Sequence, residues 1–234
     1  MNFIIFANAR SGSTSLAKTL ASSPDVKLSM ETFHPKYSYW NPNERDYSEI
    51  IKNKDDMKEA LKEISKKYNA MKVLKYQFSK RIYSAMLLEK DIKIINLSRR
   101  NAFDAALSSL IAQQTNIWQK EDEKDIEELK PIPIYKIQEI VEHYHEDNRY
   151  YADLLDSKKP NEHIDLVYED MFSEVNRENI KLIKSLKTFL GIEMPSEEVI
   201  EKYMIPSSAS IETYKRYKYI PNWYEIKKKF SKYT

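Results

Sequence analysis

Cysteine is absent from this chain of 234 residues, and glycine occurs only twice, as Gly12 and Gly191. Without cysteine there is no disulfide framework and no thiolate nucleophile, a composition compatible with a reducing compartment. Two glycines so far apart cannot supply G-x-G-x-x-G, G-x-x-x-x-G-K-[ST] or G-x-S-x-G. A dinucleotide fingerprint, a Walker-type loop and a nucleophile elbow are therefore all excluded. Histidine is scarce as well. Of His34, His143, His145 and His163, the only close pair lies two apart in a helical stretch and faces different sides, so no metal site is expected. An excess of one charge is missing too: the formal charge of +2 gives no reason to expect nucleic acid or a membrane as partner. No apolar run is long enough to span a bilayer. Strand sequence begins almost at Met1, leaving no room for a targeting peptide, and the expected location is cytoplasmic.

What is present suits one soluble domain over residues 1–234, with 41% hydrophobic and 32% charged residues. The most informative stretch comes first. Asn2 to Ala7 is a short apolar run of the length of a buried strand, and Thr14 to Ala21 reads as the start of a helix with Leu16 and Leu20 on one face. Between them lies Ala9-Arg10-Ser11-Gly12-Ser13-Thr14-Ser15, a tight polar turn. A strand, a small-residue turn and a helix N-terminus together make an anion site. Unpaired amides and the positive end of the helix dipole point into the turn, hydroxyls add donors, and Arg10 adds a fixed charge.

Further along, strands are expected at Val26–Met30, Met71–Phe78, Ile92–Leu97 and Ile164–Val167. Helices are expected at Asp55–Tyr68, Arg81–Glu89, from the Asn101 cap to about Gln114, after Pro133, and at Lys181–Leu190 before Gly191. The long helix after Pro133 carries a core stripe through Ile134, Ile137, Val141, Tyr144, Tyr151 and Leu155. Tyr37, Tyr39, Trp40 and Tyr47 read as loop aromatics pinned to the body, and 119–130 as a solvated charged excursion. Strands alternating with helices imply an α/β fold: a central parallel sheet flanked by helices, with its ligand at the carboxyl ends of the strands. Three such ends bear cations: the turn at Arg10, Lys75, and Arg99-Arg100.

The loop resembles the 5′-phosphosulfate loop of the PAPS-dependent sulfotransferases, where PAPS is 3′-phosphoadenosine 5′-phosphosulfate. Arg100-Asn101-Ala102-Phe103-Asp104-Ala105-Ala106-Leu107-Ser108 resembles that family's 3′-phosphate motif, with arginine and serine eight residues apart. The stretch Ser108 to Trp118 is similar to bacterial carbohydrate sulfotransferases of the trehalose type, and Tyr168-Glu169-Asp170 also recurs in the family. The resemblance implies a three-layer architecture like that of the P-loop NTPases, and an enzyme that moves a sulfuryl group from PAPS to a hydroxyl of a small-molecule or saccharide acceptor. Adenosine 3′,5′-bisphosphate is the product and no metal is required. It assigns Arg10, Ser11, Gly12, Ser13, Thr14 and Ser15 to the 5′-phosphosulfate, with Arg10 also stabilising the leaving oxygen. Arg100 and Ser108 fall to the 3′-phosphate. Lys75 resembles the lysine of a Lys-Thr-His stretch in cytosolic members, but Gln77 stands where their histidine base would be and cannot accept a proton at neutral pH. Glu31 is then the expected base, as in carbohydrate sulfotransferases, with His34 as the runner-up. The glycine-rich C-terminal motif of cytosolic members is missing. Tyr214-Lys215-Arg216-Tyr217-Lys218 either closes over the nucleotide or is a basic surface stretch.

Two other readings compete. A kinase on a similar fold needs a lysine after the glycine and an acid closing a neighbouring strand to hold Mg²⁺, whereas here Ser13 follows Gly12 and the strand through Ile95 ends in arginines. A non-catalytic nucleotide-binding protein would bind the ligand without turning it over.

Overall fold

The computed structural model describes residues 1–36, 45–118, 129–159, 162–172, 176–204, 217 and 219–232, without the side chains of 176–179. Five parallel strands, β1 (Phe3–Ala7), β2 (Leu28–Met30), β3 (Ala70–Leu74), β4 (Lys93–Ser98) and β5 (His163–Val167), form one sheet in the order β2-β3-β1-β4-β5. Around it among the described residues lie α1 (Ser13–Ala21), α2 (Tyr47–Ile50), α3 (Lys54–Ile64), α4 (Lys80–Leu87), α5 (Ala102–Thr115), α6 (Ile134–Leu155), α7 (Tyr168–Met171), α8 (Asn176–Leu190), α9 (Glu197–Met204) and α10 (Trp223–Lys229).

Strand alternation sends successive side chains to opposite faces, and each face has its own apolar layer. Phe3, Ile5 and Ala7 of β1 pack with Leu16, Leu20, Ile183 and Ile200 from α1, α8 and α9. Ile4 and Phe6 pack on the other face with Met57, Leu61, Met86 and Tyr151 from α3, α4 and α6. A third cluster joins α5, α6 and α10 through Phe103, Ile137, Ile226 and Phe230. The result is helix, sheet, helix, as expected for a parallel sheet covered on both sides.

β1 lies between β3 and β4, yet the chain runs from β1 to β2 on one flank and later crosses to β4 on the other. The strand order reverses around β1, and such a switch point opens a crevice at the carboxyl end. The loop at Arg10 sits there. The second and third strands are shorter than the sequence suggests, because β2 begins only at Leu28 and β3 ends at Leu74, where Gln77 Oε1 accepts from the Leu74 amide at 3.0 Å and turns the chain. Tyr47 is buried and packs edge-on against Phe33. Tyr37, Tyr39 and Trp40, the excursion 119–128, and residues 214–216 and 218 of the tail lie outside the described residues.

Candidate active site

The loop after β1 folds by local rules. Ser11 Oγ donates to the Asn8 carbonyl at 2.7 Å, closing the turn. Arg10 (φ 61°) and Gly12 (φ 76°) are both left-handed. At Gly12 a side chain is excluded twice over: a Cβ would stand 2.3 Å from Phe172 Cε2 and 3.0 Å from Tyr168, whose rings stack on each other at 4.7 Å. Gly12 caps α1 with no side-chain hydrogen bond, so the first-turn amides of α1 keep their donors for an anion.

Glu31 is the second strained residue. It ends β2 with φ 53°, its amide donating to the Lys72 carbonyl at 3.1 Å and its carbonyl accepting from the His34 amide at 2.8 Å. A left-handed non-glycine residue costs about 1–2 kcal/mol, and such positions cluster at functional sites. The turn points the Glu31 carboxylate at the ammonium of Lys72, which binds Glu31 Oε1 and also donates to Thr14 Oγ1 at 2.9 Å. Thr14, Lys72 and Glu31 thus form one connected group on the α1 side of the sheet. Burial holds Lys72 below the ordinary lysine range; Glu31 opposes that shift, while Arg10 and Lys18 add to it. His34 Nδ1 accepts from the Lys36 amide at 3.1 Å.

Lys75 goes elsewhere. It follows Leu74, three residues after Lys72, and the alternation turns it to the opposite face. There Nζ donates to Asn148 Oδ1 of α6 at 3.1 Å and lies 5.5 and 5.7 Å from the ring centroids of Phe6 and Tyr151. Burial brings it down to about 7, with only partial compensation from Asp147 and Asp165. The lysine brought to the anion loop is Lys72. Its signal in the sequence is a charge inside the apolar run Ala70-Met71-Lys72-Val73-Leu74, where an unpaired lysine is rarely buried.

The arginines also divide differently from their sequence motif. Among the described residues no hydrogen bond joins Arg100 to Ser108. The Arg100 guanidinium lies in solvent, donating to both oxygens of Asp170 at 2.9 and 3.2 Å. Ser108 Oγ accepts instead from Arg10 Nε at 2.9 Å, and Arg10 reaches on to the Trp118 carbonyl at 2.6 Å. Burial, and then the neighbouring Arg99, hold Arg10 below the usual arginine range. Arg99 is the structural member of its pair: it sits 4.5 Å over the Tyr168 ring, donates to Asp104 at 3.2 Å and to the Arg10 carbonyl at 3.4 Å. Glu169 accepts from the amides of Arg100 (2.7 Å) and Asn101 (2.9 Å), fixing the mouth of α5. Asn101 caps that helix by accepting from the Asp104 amide at 3.1 Å.

An α/β sheet of this order, with an uncapped helix N-terminus and converging cations at its switch point, defines a P-loop-like fold. The family model described as "Sulfotransferase domain" matches residues 1–232, and the chain belongs to that family. Among solved structures, the sulfotransferase domain from the curacin biosynthetic pathway is similar in fold at TM-score 0.50 and 14% identity, over 83% of this chain and 75% of that one. Two others are the sulfotransferase domain from the Synechococcus PCC 7002 olefin synthase (TM-score 0.49, 16% identity, 89% and 82% covered) and a sulfotransferase from Alicyclobacillus acidocaldarius (TM-score 0.47, 16% identity, 97% and 94% covered). No curated protein matches the chain. Among the described residues no helix is long and apolar enough to cross a membrane.

Proposed function

We propose that the protein transfers the sulfuryl group of PAPS to a hydroxyl of a small-molecule or saccharide acceptor in the cytoplasm, in the manner of the trehalose-type carbohydrate sulfotransferases. The observation that supports this best is the link from the anion loop through Lys72 to Glu31. It sets a carboxylate two hydrogen bonds from Thr14, with the Lys72 ammonium between them. Glu31 Oε1 is taken by Lys72, whereas Oε2 has no partner among the described residues and is available for an acceptor proton.

The chemistry then balances with the residues at hand. Glu31 takes the proton of the acceptor hydroxyl as its oxygen forms a bond to sulfur. The sulfur–oxygen bond to the nucleotide breaks, its electron pair stays on the 5′-phosphate oxygen, and the amides of Ser13 to Ser15 with Arg10 stabilise that charge. Arg100 stands just before α5 and Ser108 about two turns into it; Arg100 exchanges Asp170 for the 3′-phosphate and Ser108 supplies a hydroxyl.

Three measurements test the reading. Adenosine 3′,5′-bisphosphate should raise the melting temperature more than ATP with Mg²⁺ does. Transfer of labelled sulfate from PAPS should appear in a panel of sugars and persist in excess EDTA. Collapse with chelator and return with Mg²⁺ would restore the kinase reading, and binding without any turnover across the panel would leave a nucleotide-binding protein.

A further inference from the structure

We propose that helix α7 is a spacer holding the 5′ and 3′ phosphate subsites at a fixed separation, with Glu169 as the positioning residue at its 3′ end. The inference rests on reading the loop at Gly12 and the segment at Arg100 as those two subsites. Helix α7 (Tyr168–Met171) follows β5 with no intervening residue, and its Met171 is fully buried in the apolar layer shared with α1. The aromatic side of this turn faces the anion loop. The stacked rings of Tyr168 and Phe172 leave no room for a Cβ at Gly12, and Arg99, lying over Tyr168, donates to the Arg10 carbonyl. The acidic side faces the start of α5. There Glu169 accepts from two successive amides, those of Arg100 and Asn101, and Asp170 takes the Arg100 guanidinium. The run from Tyr168 to Phe172 therefore braces both segments at once.

Helix capping does not account for the Glu169 contact, because α5 already has its cap in Asn101, which accepts from the Asp104 amide. Charge pairing does not account for it either. Arg99 Nε lies 3.7 Å from the Glu169 carboxylate and compensates it without help from the Arg100 guanidinium. What the carboxylate adds is position. Both of its oxygens are held by backbone, so the contact persists while the Arg100 side chain turns from Asp170 to a ligand. A nucleotide with phosphates at both ends gains over one with a single phosphate only where both contacts form together. That gain depends on the separation of the subsites, and slack between them lowers it while leaving each contact intact.

The test uses the whole chain. Binding of adenosine 3′,5′-bisphosphate and of AMP is compared by calorimetry, and the melting temperature of the free protein is recorded. Glu169→Ala frees the start of α5 and should weaken the bisphosphate about tenfold, a fraction of what simultaneous engagement can add. Affinity for AMP, which uses one subsite, should stay within about twofold of the parent. Glu169→Gln offers one acceptor and turns a donor toward the second amide, so its loss should be intermediate. Phe172→Leu, at the other end of the spacer, should lower the preference for the bisphosphate about threefold. A direct charge effect predicts the reverse at Glu169, since removing a carboxylate beside bound phosphates tightens both nucleotides. A merely structural role predicts a lower melting temperature and equal losses for both. Either result overturns the proposal, as does a preference that survives in Phe172→Leu. Should Glu169→Ala fail to fold, Glu169→Gln and Phe172→Leu decide. A parent with no preference for the bisphosphate over AMP sinks the sulfotransfer reading together with this one, while a selective parent whose variants keep its preference sinks only this one.

Discussion

Lys72 and Lys75 stand three residues apart on the same stretch of chain and are almost equally buried, at 1% and 3% exposure, yet they live in opposite settings. Lys72 faces α1 and meets a carboxylate and a hydroxyl of the anion loop. Lys75 faces α6 and meets one amide oxygen and two aromatic rings. An odd spacing along a strand is enough to cause this, because each residue turns the side chain to the other face. The difference separates two uses of a buried charge. One is held by a counter-ion and can serve a ligand. The other is barely compensated and loses its charge near neutrality. We therefore assign the chemistry to the α1 side of the sheet.

The largest effect should come from breaking the carboxylate on that side. Glu31→Gln keeps shape and polarity but cannot take a proton, so transfer should fall by about 10²–10⁴-fold, the scale for loss of a general base. Nucleotide affinity should change little. His34→Asn should cost far less, since His34 is engaged with the Lys36 backbone. A Glu31→Gln enzyme at the parent rate, beside a dead His34→Asn, would move the base to His34. Lys75→Met, on the other face, should keep transfer within about threefold of the parent.

Lys75 answers to pH rather than to turnover. Its ordinary value is 10.5 and its folded value about 7, so the unfolded chain holds a proton that the folded chain has released across that interval. More protons bound when unfolded means stability that rises with pH, by up to about 1.4 kcal/mol per pH unit for one group. Below about 7 both states are protonated and the full penalty for a buried charge remains. Lys75→Met removes the penalty and its slope. Melting curves should show the variant more stable than the parent at pH 6, with the gap closing as pH approaches 10. A constant gap would mean that Lys75 stays charged in the fold.

The same contrast explains how much could be read from the sequence. Parallel strands, the turn between β1 and α1, and the place of Glu31 just after β2 were legible, because each depends on neighbours in the chain: an apolar run, a glycine before hydroxyls, a turn after a strand. Lys72 was hidden for the opposite reason. Its partners lie 58 and 41 residues away, at Thr14 and Glu31, and the apolar run around it marks it as buried without naming either partner. Asn148 and the buried Asp147 of α6 were similarly concealed, although they fall in the gap of the apolar stripe between Tyr144 and Tyr151, where a polar residue signals a buried partner. The pairing of Arg10 with Ser108 spans 98 residues and competes with a motif that links Ser108 to Arg100. The short β3 is a tertiary effect of the Gln77 side chain on the Leu74 amide.

Arg99 and Arg100 repeat the contrast on β4, at smaller scale. Arg99 is fixed by Tyr168, Asp104 and the loop carbonyl, so removing it should loosen the free protein. The exposed Arg100 guanidinium is tied, among the described residues, to Asp170, a carboxylate that occupies donors a phosphate would need. If Arg100 serves the 3′-phosphate, Asp170 is its competitor. Asp170→Asn keeps a weak acceptor but removes the charge, so Arg100 is released more readily. Affinity for adenosine 3′,5′-bisphosphate should then rise modestly, by about two- to fivefold, as expected for relief from an exposed ion pair. Affinity for AMP, which lacks the 3′-phosphate, should stay where it was, and Arg100→Ala should abolish the gain. The melting temperature of the unliganded protein should hardly move. Equal gains for both nucleotides in calorimetry would mean that Asp170 acts on the general field of the site. In that case Arg100 would not contact the 3′-phosphate, and the exposed arginine would be no more than a surface partner of Asp170.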